Sequence, residues 1–410
     1  MKDISSTGAF ADFTLKNFIY VDKTEYIYNL LNREERVFIS SPSRFGKSLT
    51  LDTIGTLFEK GVDPYFKGTW IYDKWKEPTY PVLRLNFLDL DKYSFDLFNQ
   101  KLNAIISSFA RDINVKNYEE KSKPERSISN LLKNLRDENR QIVLLIEEYD
   151  YQLVSNIDNE DLYKQFQVAL QNVNNNLKDK WAIKFLLITG VTRTKNSSAF
   201  SGTDIRDITN SSAYSQMIGF TREEIKKYYI DYLKLAASYE SHCSVDEATE
   251  PQIESMLDKL EEQYGGYCFD EFYKKKVFNT WSVNSFFQSV KSNKKIHFGD
   301  YWHDNGGVPK ILSDFVKNYE HELFECISNG DELYVPTIDF KFPSSLTTIN
   351  PKVLMCQTGY LTLRSALTSG DLTVDLGIPN GEIYKALNRL LANHIFKEKA
   401  DVTTDQGRTR

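Results

Sequence analysis

Three stretches of this chain carry side chains suited to phosphate chemistry. The first is Ser41-Pro-Ser-Arg-Phe-Gly-Lys-Ser48, directly after the apolar run Val37-Phe38-Ile39. It fits the phosphate-binding loop pattern at every position but the first, where Ser41 stands for glycine. In such a loop a strand delivers the chain to a tight turn whose backbone N–H groups wrap a polyphosphate at a helix N-terminus. The candidate binding residues are Ser41, Pro42, Ser43, Arg44, Phe45, Gly46, Lys47, Ser48 and Leu49. Lys47 would reach the β- and γ-phosphates and the Ser48 hydroxyl would ligate Mg²⁺. Gly46 lets the backbone approach without a Cβ in the way, whereas Pro42 offers no N–H. The plainer alternative is a solvated loop between two elements.

The second stretch is Ile142-Val-Leu-Leu-Ile-Glu-Glu-Tyr-Asp150, an apolar strand ending in acids. A nucleotide-hydrolysing site needs one acid to orient the Mg²⁺ shell and another to polarise the attacking water. Glu147 is the metal candidate and Glu148 the catalytic one; the alternative is an acidic strand end facing solvent. The third stretch is Ile188-Thr-Gly-Val-Thr-Arg193, where Thr189 and Arg193 are candidate γ-phosphate sensors. Against that stands a plain strand-to-loop exit.

Elements able to position these residues alternate along the first half. Leu51, Ile54, Leu57 and Phe58 repeat at helical spacing, and Leu83, Leu85 and Phe87 alternate as in a strand. Phe95 to Phe109, Ile128 to Leu135 and Leu162 to Leu177 carry further helical stripes. Ile142–Ile146 reads as a strand covered on both faces, and Ile183–Ile188 as another. This β-α alternation predicts a parallel sheet flanked by helices, with ligands at the C-terminal ends of the strands. The long polar segment from Gly190 to Gln216 reads as a functional or mobile loop. Thr221-Arg-Glu-Glu224 reads as a capping box opening a helix through Ile225, Tyr228, Tyr229 and Tyr232. Beyond it the chain reads as mainly helical, including a helix after Pro309 with Ile311, Leu312, Phe315 and Val316. A helix near Val353, strands at Tyr360–Leu363 and Leu372–Val374, and a helix carrying Ile383 and Leu387 then suggest a winged-helix-like α+β region. The expected units are an ATPase domain over 1–220, a helical lid over 221–340, the winged-helix-like region over 341–396 and a polar tail over 397–410.

Composition narrows the function classes. With 41% hydrophobic residues, 26 Phe and 24 Tyr, the chain suits a folded soluble protein. A formal charge of −6 gives no global attraction to nucleic acid or acidic membranes. The four cysteines, Cys243, Cys268, Cys326 and Cys356, form no Cys-x-x-Cys pair and suggest neither a disulfide framework nor a zinc site. No signal-peptide core and no run near the ~20 apolar residues of a membrane helix are present, which predicts a cytoplasmic location and no membrane partner.

In order and spacing these motifs resemble the bacterial AAA-ATPase-like family, whose members commonly carry a C-terminal PD-(D/E)XK nuclease domain. The resemblance runs through Tyr20-Val-Asp-Lys-Thr24, Ser43-Arg-Phe-Gly-Lys-Ser48, Ile146-Glu-Glu-Tyr-Asp150, Thr189-Gly-Val191 and Phe200-Ser-Gly202. It continues at Gly219-Phe-Thr221, Tyr264-Gly-Gly-Tyr267, Trp281-Ser-Val283, Gln357-Thr-Gly-Tyr-Leu361 and Leu376-Gly-Ile-Pro-Asn380. It implies an ATP- and Mg²⁺-dependent switch that acts on a protein effector or nuclease partner; apart from the resemblance, contact with nucleic acid is expected only indirectly or weakly, and a homo-oligomer is left open. Arg193 would be the sensor or finger, with Arg206 and Arg222 as substitutes. Glu147 departs from the family's Asp by one methylene. No strand-borne Asp followed by Glu-x-Lys occurs after Gly377, so no nuclease site is assigned to this chain. Two rivals are a nucleotide-bound scaffold without turnover, and a DNA-binding regulator using the winged-helix-like region with Lys352, Arg364, Lys385 and Arg389.

Overall fold

The apolar runs of the first half assemble into one parallel sheet of order β2-β3-β4-β1-β5 in a computed structural model of the chain. The strands are β1 (Arg36–Ser40), β2 (Val82–Asn86), β3 (Ile142–Glu147), β4 (Ile183–Gly190) and β5 (Arg206–Asp207). The structure describes residues 1–410 except 6–7, 178, 180, 195–203, 305–332, 368–369, 371, 391 and 393–410. The expected helix at Ile311–Val316, the motif Phe200-Ser-Gly202, part of the 190–216 loop and the tail from 397 lie outside the described residues.

Strands β1, β3 and β4 are buried almost throughout, as runs without a polar face require when helices cover both sides. Register places their C-terminal ends together: Ser40 pairs with Gly190, Ile146 with Ile188, and Asn86 with Glu147. Strand β4 therefore lies between the strand feeding the loop and the strand ending in acids. The helix Lys47–Lys60 leaves the loop with Ile54, Leu57 and Phe58 fully buried. Phe95–Asp112, Pro124–Asp137 and Glu160–Asn176 follow, the first and last capped by Ser94 and Asn159 accepting from backbone N–H groups.

The capping box at Thr221 is formed on both sides, Thr221 with the Glu224 backbone and Glu224 with the Thr221 backbone. The helix it opens is shorter than its periodicity predicts. It stops at Tyr228, and a second helix runs over Ile230–Ser241. The break falls at Tyr229, whose buried ring stacks on Phe287 at 5.2 Å while its hydroxyl donates to Asn284 at 2.6 Å. With Glu250–Tyr264 and Thr280–Asn293 these helices enclose a core of their own, which Ile19 and Val21 also enter.

The C-terminal region instead joins the core of the sheet, through residues such as Val335, Leu376, Ile383 and Leu387. Helix Pro351–Thr358, strands β7 (Thr362–Leu363) and β8 (Thr373–Gly377), and a helix over 381–390 follow the expected pattern. A further strand, β6 (Leu333–Pro336), makes an antiparallel sheet of order β6-β8-β7. Its short Leu-x-Val alternation gave no hint of a partner 40 residues away. Among the described residues no helix is long and apolar enough to cross a membrane.

Candidate nucleotide site

The loop between β1 and helix Lys47–Lys60 is braced from outside. Its carbonyls accept in sequence from distant residues: Ser43 from Trp302 Nε1 at 3.2 Å, Arg44 from Thr280 Oγ1 at 2.8 Å, and Phe45 from Gly219 N at 2.9 Å. In a planar trans peptide the next N–H points opposite to the carbonyl. Tying these carbonyls outward therefore turns the N–H groups of Arg44, Phe45 and Gly46 the other way, the arrangement an anion needs. Gly46 has φ 97°, a conformation that accounts for the glycine although nothing lies within 4 Å of a would-be Cβ. The buried Phe45 ring meets Tyr267 and Phe269 edge-on at 4.7 and 5.3 Å. The Arg44 guanidinium lies 4.4 Å over the Trp281 ring, and burial lowers its pKa.

Lys47 is buried at the base of the loop, where its Nζ donates to the carbonyls of Ser41 at 2.8 Å and Pro42 at 3.1 Å. The same Nζ stands 3.6 Å from Glu148 Oε1. Glu147 stands near the other neighbour, the Ser48 side chain, which favours its ionised form. Burial holds the Glu147 pKa above the usual carboxylate range; Ser48 and Lys47 oppose this, while Glu148 and Asp89 add to it. A hydroxyl beside an electrostatically strained carboxylate suits Mg²⁺. Among the described residues no group of three or more His, Cys, Asp or Glu could cage a metal, so such an ion would take further ligands from phosphate and water. Asp89, in the short helical turn Phe87–Asp89 that follows β2, is a nearby acid that sequence spacing did not single out.

The exit of β4 is tied to the acids by Asp150, the last residue of the Ile146–Asp150 motif, whose role its spacing does not reveal. Its buried carboxylate accepts from Val191 N at 3.3 Å, Thr192 N at 2.6 Å and the Thr192 hydroxyl. Burial, then the nearby Glu148 charge, pushes its pKa up to about 6. Tyr149 adds two bonds, N–H to the Thr189 carbonyl at 3.1 Å and hydroxyl to the Thr192 carbonyl at 3.1 Å. Glu148 just before it sits in the left-handed region at φ 51°. Thr189 is fully buried between β1 and β3.

The three candidate arginines are all engaged elsewhere. Arg193 pairs with Asp207 at 3.1 Å and donates to the Phe340 carbonyl at 2.8 Å. Arg206 pairs with Glu34, and Arg222 with Glu254, Asp258 and Glu261 at 2.7, 2.7 and 3.0 Å. A cavity of about 280 Å³ opens beside the loop, lined by Ser43 to Thr50, Glu148, the leading segment Ile19–Val21 and residues of the helical region after 220, including Tyr229 and Trp281. Ser41, Pro42 and Arg193 border a separate, small cavity on the side of the C-terminal region.

Residues 5–200 match the family model described as predicted AAA-ATPase. That segment belongs to the AAA-ATPase-like family. A protein of Azotobacter chroococcum mcd 1, described as "Uncharacterized protein in vnfD 5'region", is 26% identical over 404 residues, covering 95% of this chain and 70% of that protein. Among solved structures, a Walker-type ATPase of Pyrococcus abyssi aligns with TM-score 0.38 and 11% identity over 91% of this chain and 97% of its own. The ORC2 protein of Aeropyrum pernix aligns with TM-score 0.35 and 10% identity over 92% and 93%. The AAA-ATPase-like segment holds the loop and both acids, but the groups that brace the loop, Gly219, Thr280 and Trp302, all lie beyond it.

Proposed function

We propose that the chain binds ATP with Mg²⁺ and hydrolyses it, and that the cycle acts as a conformational switch for a partner that processes nucleic acid. The observation that carries this reading is the convergence of Lys47 on Glu148 and of Ser48 on Glu147 at one end of the sheet. On binding, Lys47 would exchange the Ser41 and Pro42 carbonyls for the β- and γ-phosphates, and the N–H groups of Arg44 to Gly46 would hold the phosphate oxygens. Mg²⁺, held by Ser48 and through Glu147, would neutralise charge on those oxygens. Glu148, released from Lys47, would take the proton of a water attacking the γ-phosphorus as the bond to the β–γ bridging oxygen breaks, giving ADP and phosphate. For Arg193 to sense the γ-phosphate it must first leave Asp207.

The cavity touches both the loop and the lid, so filling it would change how the lid helices meet the sheet domain, a hinge-type response. The output to a nuclease or other effector comes from the family resemblance. Steady-state ATP turnover and binding of a fluorescent ATP analogue, measured on wild type, Lys47→Ala and Glu148→Gln, test the proposal. Lys47→Ala is expected to lose binding, and Glu148→Gln to bind but fall by on the order of a hundredfold in kcat. Equal background rates in all three would remove the enzyme; binding without turnover in wild type would leave a nucleotide-bound scaffold.

A further inference from the structure

Gln357 lies 164 residues beyond Arg193, in the last turn of helix Pro351–Thr358, yet it meets the β4 exit as a strand neighbour would. Its Oε1 accepts from Arg193 N at 3.0 Å and its Nε2 donates to the Arg193 carbonyl at 2.9 Å. A carboxamide has one acceptor and one donor edge, so it satisfies both peptide groups of one residue at once. The bonds then run inward without a gap: Thr192 and Val191 are held by Asp150, and Thr189 and Thr192 by Tyr149, the residue after Glu148. The same C-terminal segment also abuts the phosphate loop, since a Cβ on Gly359 would lie 2.8 Å from Pro42 Cβ.

We infer that Gln357 is a positioning residue for Glu148, and that the strut Gln357–Arg193–Asp150–Tyr149 carries the state of the nucleotide site to the C-terminal module. Gln357 touches neither the loop cation nor the acids; it acts through the backbone of the β4 exit. When Lys47 turns from Glu148 to phosphate, Glu148 loses the ion pair at one end of the strut. The other end is the helix Pro351–Thr358. A half-buried clamp of two parallel hydrogen bonds fixes both peptide groups of Arg193 at once, so a shift at one end is carried to the other.

The kinetic part of this inference rests on the ATPase reading; the structural part does not. Gln357→Met keeps length and volume and removes both bonds. We expect kcat to fall about tenfold with KM and ATP-analogue affinity within about twofold, because Glu148 is misplaced while the loop is intact. In nucleotide-free protein, amide exchange at Tyr149, Val191 and Thr192 should quicken by about tenfold or more. Val374→Ala, in buried β8 and outside the strut, is the control: it should lower the melting temperature and leave kcat and those amides unchanged. Unchanged kcat in Gln357→Met, or an equal loss in Val374→Ala, overturns the positioning role. If wild type shows no turnover, the ATPase reading fails and exchange alone decides, unchanged protection at Tyr149 and Thr192 overturning the strut.

Discussion

Gly190→Ala places one methyl group at the junction on which Glu148 depends. The added Cβ would lie 2.6 Å from Asp150 Oδ1 and 2.6 Å from the nearest Tyr149 ring carbon. Carbon contacts settle near 3.5–4.0 Å, so the ring and the carboxylate must retreat by roughly 1 Å. Both are buried, and the Tyr149 ring already meets Phe38 at a centroid distance of 5.6 Å, which leaves little room. Overpacking of this kind costs about 1–3 kcal/mol, and a 1 Å displacement of a reacting group costs on the order of a hundredfold in rate. We therefore expect a folded protein with a melting temperature lower by several degrees and kcat down by about 30- to 100-fold. KM for ATP should move by less than about threefold, since Lys47 and the loop carbonyls are untouched. Gly370→Ala, where nothing lies within 4 Å of the new Cβ, should be neutral in both assays. Calorimetry and steady-state turnover of the purified variants measure this. A folded Gly190→Ala protein with wild-type kcat would refute the reasoning that Glu148 is placed through Tyr149 and Asp150.

Asp150 predicts a pH dependence of stability. Its folded pKa of about 6 lies above the ordinary 3.8, so the fold holds its proton more tightly than the unfolded chain. Its stabilising contribution is full below about pH 4 and is lost as pH rises through 6, by up to about 3 kcal/mol. Urea unfolding of wild type and Asp150→Asn between pH 4 and 7 should show their difference shrinking to the disadvantage of wild type as pH rises; a constant difference contradicts the assignment. Trp302→Phe removes the donor to the Ser43 carbonyl while keeping a ring against Tyr360. KM for ATP should rise about three- to tenfold with kcat within about twofold. A kcat defect with unchanged KM would show that Trp302 does not orient the loop.

Local patterns carried a large part of this architecture. The loop at Ser41–Ser48 was legible because phosphate chemistry demands a small set of residues at fixed spacing after a strand. The strands at 142–147 and 183–190 were legible because burial on both faces leaves largely apolar runs, and that at 82–86 because Leu83 and Leu85 alternate with polar residues. The capping box at Thr221 is a four-residue signal, and it formed. Periodicity failed at Tyr229, where two ring-bearing turns both seek the same core and the helix breaks between them. It also missed β6, a four-residue edge whose partner lies far along the chain.

The chemical inventory followed from residue types alone: Lys47, Ser48, Glu147 and Glu148 could be named because each must supply a particular charge or ligand atom. What holds them in place could not be named that way. Trp302 on Ser43, Thr280 on Arg44 and Gln357 on Arg193 join residues 259, 236 and 164 positions apart. A hydrogen bond at such separation leaves no period in either segment, since it depends on where the intervening chain returns. The candidate arginines make the same point from the other side. Their charge marked them for phosphate, but Asp207, Glu34 and the acids of helix Glu250–Tyr264 pair with them in the folded chain. Sequence spacing specified a phosphate loop and two acids at the end of β3; the return of residues from beyond 219 onto the loop and the β4 exit decided how these are braced.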